Sequence, residues 1–217
     1  MLRADQIINP LTHHVMNKYE DTWWHYIVTA KKHRMTKTEM EILFEDQPLV
    51  FTQQPIVTLV KNVDFRKTQL TRAGFILYAF ENDQLYIGLG VDKTFQELTD
   101  FSGGISKHEA PLLAALRELC EETIGLFCDI TTDDIANDVA IYDKHHLVIF
   151  HRIDAIDDTM AQFDQLKKQS KQKIEVDDIE WMTPKEIMSL MSTHKSDFYV
   201  RLYHFLNKAG DFYDQLI

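Results

Sequence analysis

The segment Gly103–Glu122 constrains the fold and chemistry of this chain more than any other part of the sequence. It begins GGISKHE and continues APLLAALRELCEE, and the spacing of its apolar residues predicts a helix over 110–123. Residues three and four positions apart share one side of a helix. The segment therefore predicts a helix with an apolar face for a core and an opposite face that carries three carboxylates, Glu118, Glu121 and Glu122.

Three carboxylates on one helical face repel one another, and a divalent cation would relieve that repulsion. Mg²⁺ takes oxygen ligands and commonly bridges a few carboxylates to substrate phosphates. A solvated acidic face on an ordinary surface helix is the alternative. The glycines Gly103 and Gly104 favour the metal interpretation, because they let the backbone bend tightly and leave a carbonyl exposed near the start of the helix.

Two further charged residues complete the segment. Glu109 lies at the predicted start of the helix, where the helix dipole favours a carboxylate. Arg117 is too far along the helix for direct helical pairing with Glu109, but a loop that folds back brings them together. An arginine in that position can hold the glutamates in place.

The whole segment resembles the Nudix box, G-x5-E-x7-R-E-U-x-E-E-x-G-U, in which U is aliphatic. Seven constrained positions match in register: Gly103, Glu109, Arg117, Glu118, Leu119, Glu121 and Glu122. Thr123 and Ile124 precede Gly125 where the family has one residue. We interpret this departure as a one-residue insertion that affects the helix exit and not the carboxylates.

The resemblance implies a metal-dependent hydrolase of diphosphate linkages. In that family one to three Mg²⁺ or Mn²⁺ ions bind to the box carboxylates and to a backbone carbonyl. By position, the implied metal ligands are Gly103, Glu118, Glu121 and Glu122. Glu109 and Arg117 become structural supports of the site, and Glu121 and Glu122 are also candidate catalytic residues.

Many relatives recruit one more glutamate from a loop well after the box, as a metal ligand or general base. The segment 173–181, KIEVDDIEW, resembles such a loop, and Glu175 is the candidate because it lies six residues before Trp181. Asp177 and Asp178 are the reserves. The alternative is a surface acidic run after a lysine-rich helix end.

Strand and helix patterns alternate along the chain, which predicts an α/β layered domain. The resemblance makes this a Nudix-like mixed β-sheet between helices, with an N-terminal extension over 1–70 and the hydrolase domain over 71–217. The predicted strands are 56–60, 75–80, 85–89, 139–142, 147–153 and 179–182, and the predicted helices are 21–34, 36–45, 110–123, 159–171, 184–191 and 198–206. The helix at 184 begins with a capping box, Thr183 to Glu186.

Composition limits the cellular context. The start of the chain has no signal-peptide pattern, and no apolar run is long enough to cross a membrane, so we expect a cytoplasmic protein with the nucleus as the alternative. The cysteines Cys120 and Cys128 are expected to be small buried residues in a reducing compartment, not a disulfide framework.

The substrate is expected to be a small nucleotide-type diphosphate, such as a nucleotide sugar, ADP-ribose, a dinucleotide or an NTP. One alternative is capped RNA, cleaved by an mRNA decapping hydrolase, for which Lys31–Arg34 and Lys167–Lys173 are the candidate basic clusters. The net charge of -11 disfavours it. A further alternative is an inactive Nudix-fold binding module, which the intact glutamates disfavour. The sequence leaves the oligomeric state open, and a homodimer is one option. Trp23-Trp24 could stack on a base, but packing in the core is the alternative.

Overall fold

The computed structural model describes residues 6–8, 15–17, 54–171, 173–194 and 197–217. The chain divides into two compact units, residues 1–52 and 53–217. In the first unit, strands β1 (Gln6–Ile8) and β2 (Val15–Asn17) pair in antiparallel fashion.

The described residues of the second unit form an eight-stranded mixed sheet. Its strands are β3 (Ile56–Leu59), β4 (Arg72–Glu81), β5 (Gln84–Asp92), β6 (Leu98–Thr99), β7 (Phe101–Gly104), β8 (Val139–Tyr142), β9 (His146–Arg152) and β10 (Val176–Met182). The order across the sheet is β10-β5-β4-β9-β8-β3, with β6 paired to β5 and β7 paired to β4. β4 and β9 run parallel, and the other neighbouring pairs are antiparallel.

The hairpin between β4 and β5 turns through two residues, Asn82 and Asp83, since Glu81 and Gln84 already pair. Both turn residues have positive φ, 50° and 62°. A two-residue turn of this kind matches the twist of the flanking strands, and Asn and Asp tolerate the left-handed backbone better than most residues. The strands predicted at 75–80 and 85–89 are confirmed, and each is longer than predicted.

Among the described residues, four α-helices lie against this sheet: α1 (Pro111–Glu122), α2 (Ile156–Gln169), α3 (Pro184–Thr193) and α4 (Val200–Ala209). The predicted capping box of α3 is confirmed. The Thr183 hydroxyl accepts a hydrogen bond from the Glu186 amide at 3.3 Å, and the Glu186 carboxylate accepts one from the Thr183 amide at 2.8 Å.

Two apolar cores fill the space between the sheet and the helices, one on each face. Along β4 the side chains alternate, so that Phe75 and Leu77 belong to one core and Ile76 to the other. The first core includes residues of α1 and α2, and the second includes residues of α3 and α4. The predicted fold class, a mixed sheet sandwiched between helices, is confirmed.

Several element bounds differ from the predicted ones. α2 begins at Ile156, earlier than predicted, because Ile156 is buried and two aspartates occupy the first turn, where the helix dipole favours them. β10 begins at Val176 because it pairs with β5 as far as Asp92. β6 and β7 were not predicted as strands.

Some sequence predictions fall outside what the structure describes. The helices predicted at 21–34 and 36–45 lie outside the described residues, as do Trp23-Trp24 and Lys31–Arg34. The domain boundary predicted near residue 70 stays a prediction. Within the described part of the chain, no helix has both the length and the apolar character needed to cross a membrane.

Candidate functional site

The site begins where β7 leads through a short loop into α1. β7 pairs with the first residues of β4, and Gly103 lies opposite Ala73. A β-carbon added to Gly103 would collide with the carboxylate of Glu118, which reaches it from α1. Gly103 does not have the positive φ of a tight turn. The predicted reason for this glycine is therefore wrong, because its function is to let Glu118 approach the strand closely.

Arg117 ties the loop, the strand and the helix together. Its Nε and Nη2 donate to the two carboxylate oxygens of Glu109 at 2.9 and 3.0 Å, which is a bidentate pair. Nη1 donates to Glu118 Oε1 at 2.6 Å, and Nη2 also donates to the carbonyl of Gly104 at 3.0 Å. These bonds to Arg117, with one from the Ser106 amide, lower the pKa of Glu109 to about 2. The loop folds Glu109 back onto Arg117, as the spacing required.

Glu122 is a carboxylate whose surroundings disfavour its charge. Burial, followed by repulsion from Asp100, raises the pKa of Glu122 well above its usual value, and Glu118 and Glu175 act in the same direction, whereas Arg72 opposes them. Glu122 Oε2 is buried without a hydrogen-bond partner in the structure. Such an orphaned oxygen is costly unless a proton or a cation accompanies it.

The three box carboxylates do not share one exposed face, and this expectation is corrected. The Glu118 side chain is only 14% exposed, and Glu122 has a buried oxygen, whereas the Glu121 side chain is 60% exposed. Glu121 makes a long contact with Arg117, at 3.5 Å. The difference arises because Glu118 lies against Gly103 and Glu122, four residues on, shares its side of the helix, while Glu121 is turned toward solvent.

Glu175 immediately precedes β10, and its charge reaches Glu122. Its carbonyl accepts a hydrogen bond from the Lys93 amide at 2.9 Å, and its carboxylate pairs with Lys173 at 2.7 Å on the exposed surface. The reserve residues are engaged elsewhere. Asp177 contacts Lys167, and Asp178 accepts a hydrogen bond from the Ile179 amide.

Sequence reasoning missed a buried polar cluster behind β7. Asp100 and His146 are each 1% exposed, and His146 Nε2 lies 2.9 Å from Asp100 Oδ2. Burial raises the pKa of Asp100, but the nearby His146 and Arg72 outweigh it and lower that pKa to about 2. Burial lowers the pKa of His146. The sequence carried little signal for it, because Asp100 lies in a mixed segment that also contains Gln96, Glu97 and Thr99 just before the box.

At the end of α1 the sequence departs from the family pattern by a substitution, and not by the predicted insertion. The Ile124 amide bonds to the Glu121 carbonyl at 3.2 Å, and the Gly125 amide bonds to the Cys120 carbonyl at 2.7 Å. These two bonds form a Schellman motif, in which the first residue past the cap adopts a left-handed conformation. That residue is Ile124, with φ 58°, and Gly125 follows with φ 91°. Ile124 thus occupies the position of the closing glycine of the box.

The expectation for the cysteines is also wrong. Cys120 and Cys128 form a disulfide bond, and Cys128 is exposed. The turn after α1 brings the two residues together, with their Cα atoms 4.6 Å apart. The bond closes a short loop directly behind Glu121 and Glu122.

The donor set fits a hard divalent cation. Within the ranges that the structure describes, no group of three or more His, Cys, Asp or Glu side chains is drawn together as a metal cluster. Glu118 nevertheless provides carboxylate oxygens beside β7, and Glu122 Oε2 is buried without a protein partner. Carboxylate and carbonyl oxygens are the ligands that Mg²⁺ and Mn²⁺ prefer.

Comparisons with solved structures found distant similarity. The chain is similar to an Ap4A hydrolase of C. elegans in a binary complex, with 16% identity, 67% of this chain and 98% of that chain covered, and a TM-score of 0.42. It is also similar to a mutT/nudix family protein from Listeria innocua, with 15% identity, 70% and 98% coverage, and a TM-score of 0.43.

A third similar structure is the NUDIX domain of Shewanella oneidensis NrtR complexed with ADP ribose, with 16% identity, 59% and 82% coverage, and a TM-score of 0.32. No curated protein matches the chain. The family model of the NUDIX domain matches residues 70–203. Because that match spans more than half of the chain and includes the whole box, the protein belongs to the Nudix family.

Proposed function

We propose that the protein is a divalent-metal-dependent hydrolase that cleaves a diphosphate linkage in a nucleoside diphosphate joined to another group. The observation that carries this proposal is the carboxylate of Glu118 against Gly103, together with Glu122 Oε2, which is buried and unpartnered. An inactive binding module would have no need to keep such a costly carboxylate buried. The seven matching positions of the box support the same conclusion.

Glu118 and Glu122 would hold the ion directly, with Glu121 next and the backbone carbonyl of Gly103 as a further ligand. Mg²⁺ or Mn²⁺, when bound there, supplies positive charge for the diphosphate and lowers the pKa of a coordinated water. Arg117 and Glu109 would support the site, because Arg117 orients Glu118 through the 2.6 Å hydrogen bond.

Glu175 is our candidate for the group that accepts the proton of the attacking water. Its side chain is 59% exposed and contacts Lys173 at 2.7 Å. It is therefore accessible to a substrate that binds at the protein surface. A carboxylate in reach of the attacking water can take its proton in the transition state. Glu121, which is also exposed, is the second candidate for this role, and Glu122 completes the proposed catalytic set.

We favour a small nucleotide-type substrate. The net charge of -11 disfavours a long polyanion, and two lysines of the segment 167–173 are occupied: Lys167 contacts Asp177, and Lys173 contacts Glu175. Capped RNA remains the second candidate, since a decapping enzyme would need a basic groove that leads to the site. Steep loss of affinity with salt, together with faster cleavage of capped RNA than of any nucleotide, would favour it.

A cytoplasmic location remains part of the proposal, with the nucleus as the alternative. The disulfide Cys120–Cys128 weakens one argument for it, because disulfides are rare in reducing compartments.

The test is a substrate panel assayed with Mg²⁺ and with Mn²⁺, comprising nucleotide sugars, ADP-ribose, dinucleotides, NTPs and capped RNA. Reactions in ¹⁸O-labelled water, followed by mass spectrometry of the products, identify the attacked phosphorus. The wild type should be active, and Glu118→Gln and Glu122→Gln should be nearly inactive. Glu180→Gln is the matched control, since Glu180 is an exposed residue of β10. No metal-dependent cleavage of any substrate would count against hydrolysis.

A further inference from the structure

Arg72, the first residue of β4, makes an unusual contact across the sheet. It lies opposite Gly104, which has no side chain and open space around its α-carbon. The Arg72 side chain therefore crosses to the diagonal neighbour, Ser102, which is 2% exposed. Its Nε donates to Ser102 Oγ at 3.1 Å, and its Nη2 donates to the Ser102 carbonyl.

These contacts fix β7 from the face opposite α1. Side chains at 72, 74 and 102 lie on the same face, because Gly74 pairs with Ser102 and a β-carbon on Gly74 would collide with Ser102. On the α1 face, Glu118 lies against Gly103, and Arg117 donates to the carbonyl of Gly104. Three consecutive residues of β7 are thus held by charged side chains from both sides.

Arg72 also lies among the charges that surround the site. Its charge helps to keep Asp100, two residues before Ser102, ionised. A guanidinium can hold Ser102 and act on Asp100 at the same time, because its planar fork makes two hydrogen bonds while its charge remains fixed. A lysine would keep the charge and lose the fork.

We propose that Arg72 is a positioning residue of the metal site, whose grip on Ser102 fixes Gly103 beneath Glu118 before the metal binds. The proposal rests on the proposed function, since it takes Glu118 and Glu122 as metal ligands. Arg72 itself is not assigned to the box and touches neither Glu109 nor Arg117 in any contact described above. Its positioning effect on Gly103 and Glu118 passes through the backbone of β7.

The test compares Arg72→Lys, Arg72→Met and Ser102→Ala with the wild type in two measurements. The first is Mn²⁺ binding without substrate, by calorimetry. The second is amide hydrogen exchange of β7 in metal-free protein. Arg66→Met is the matched control, because Arg66 is 91% exposed and pairs only locally with Asp64. Arg72→Lys keeps the positive charge, and Ser102→Ala keeps the backbone carbonyl that Arg72 contacts. Both variants therefore remain informative if Arg72→Met fails to fold.

We expect both Arg72 variants to bind Mn²⁺ roughly 10-fold or more weakly, as is common when support of a ligand is lost, and to exchange β7 amides faster. Ser102→Ala, which keeps the carbonyl contact, should show a smaller change in the same direction. Wild-type affinity in Arg72→Lys, or tighter binding in Arg72→Met, would overturn the positioning role. A wild type that binds no Mn²⁺ would instead overturn the proposed function and this role with it, even if β7 exchange still depended on Arg72.

Discussion

The carboxylate of Glu118 occupies the place beside Gly103 that a β-carbon would fill. This contact joins the helix that carries the carboxylates to the strand that precedes it. Position 103 requires glycine because a side chain would not fit beside Glu118, and not because its backbone needs an unusual conformation. The same contact makes the two adjacent glycines of the box experimentally distinguishable.

Gly103→Ala should therefore be far more damaging than Gly104→Ala. The added methyl must displace Glu118, and overpacking of this kind costs about 1–3 kcal/mol. Gly104 has nothing within 4 Å of an added β-carbon, so its variant should stay within roughly 0.5 kcal/mol of wild type. Urea unfolding and turnover of both variants check this. Equal effects of the two changes would mean that the close approach of Glu118 is unimportant.

Glu122→Gln should stabilise the metal-free protein while it removes activity. The raised pKa of Glu122 means that the folded state holds the proton more tightly than the unfolded state. Stability of the wild type must then fall as pH rises from about 4.5, the ordinary pKa, through the folded pKa. Glutamine cannot ionise, so its variant should lack this loss.

The measurement is urea unfolding of metal-free wild type, Glu122→Gln and Glu180→Gln across the acid-to-neutral range. Mg²⁺ should restore stability at neutral pH to the wild type more than to Glu122→Gln, because an amide is a poorer ligand. Parallel stability curves for the wild type and Glu122→Gln would contradict this account of Glu122.

Reduction of the disulfide Cys120–Cys128 should lower stability without unfolding the protein at room temperature. For a loop of this size, constraint of the unfolded chain corresponds to roughly 2–3 kcal/mol. Thermal unfolding with and without a dithiol reductant, compared with the double variant Cys120→Ser and Cys128→Ser, measures the effect. The double variant should not respond to the reductant. Two free thiols in the untreated protein would show that the bond does not form.

The variant Ile124→Gly should be more stable to unfolding than Ile124→Ala. Ile124 has a left-handed backbone, which costs a residue with a β-carbon about 1–2 kcal/mol and costs glycine little. Both substitutions lose the same partly buried side chain, so their difference isolates the backbone. Chemical unfolding should find Ile124→Gly more stable than Ile124→Ala by roughly 1 kcal/mol. The reverse order, normal inside a helix, would place residue 124 within α1.

The sequence was informative where the relevant contacts are local. Periodicity predicted α1, the capping box predicted the start of α3, and the spacing of Glu109 and Arg117 predicted a loop that folds back. Prediction from the sequence failed where the interacting residues are distant along the chain. The raised pKa of Glu122 depends in part on Asp100, and the pair of Asp100 with His146 forms only when β7 and β9 flank β4.

Asp100 marks the point where the chain changes partners, from β5 through β6 to β4 through β7. Beside it, Phe198 bridges to Leu98, and the Phe205 ring of α4 packs on His146. Phe198 and α4 therefore cover the buried polar cluster of Asp100 and His146. Asp100 of this cluster contributes to the raised pKa of Glu122. Shortening the protein before α4 would let water reach Asp100 and His146, and would alter the electrostatic environment of the box without changing one of its residues.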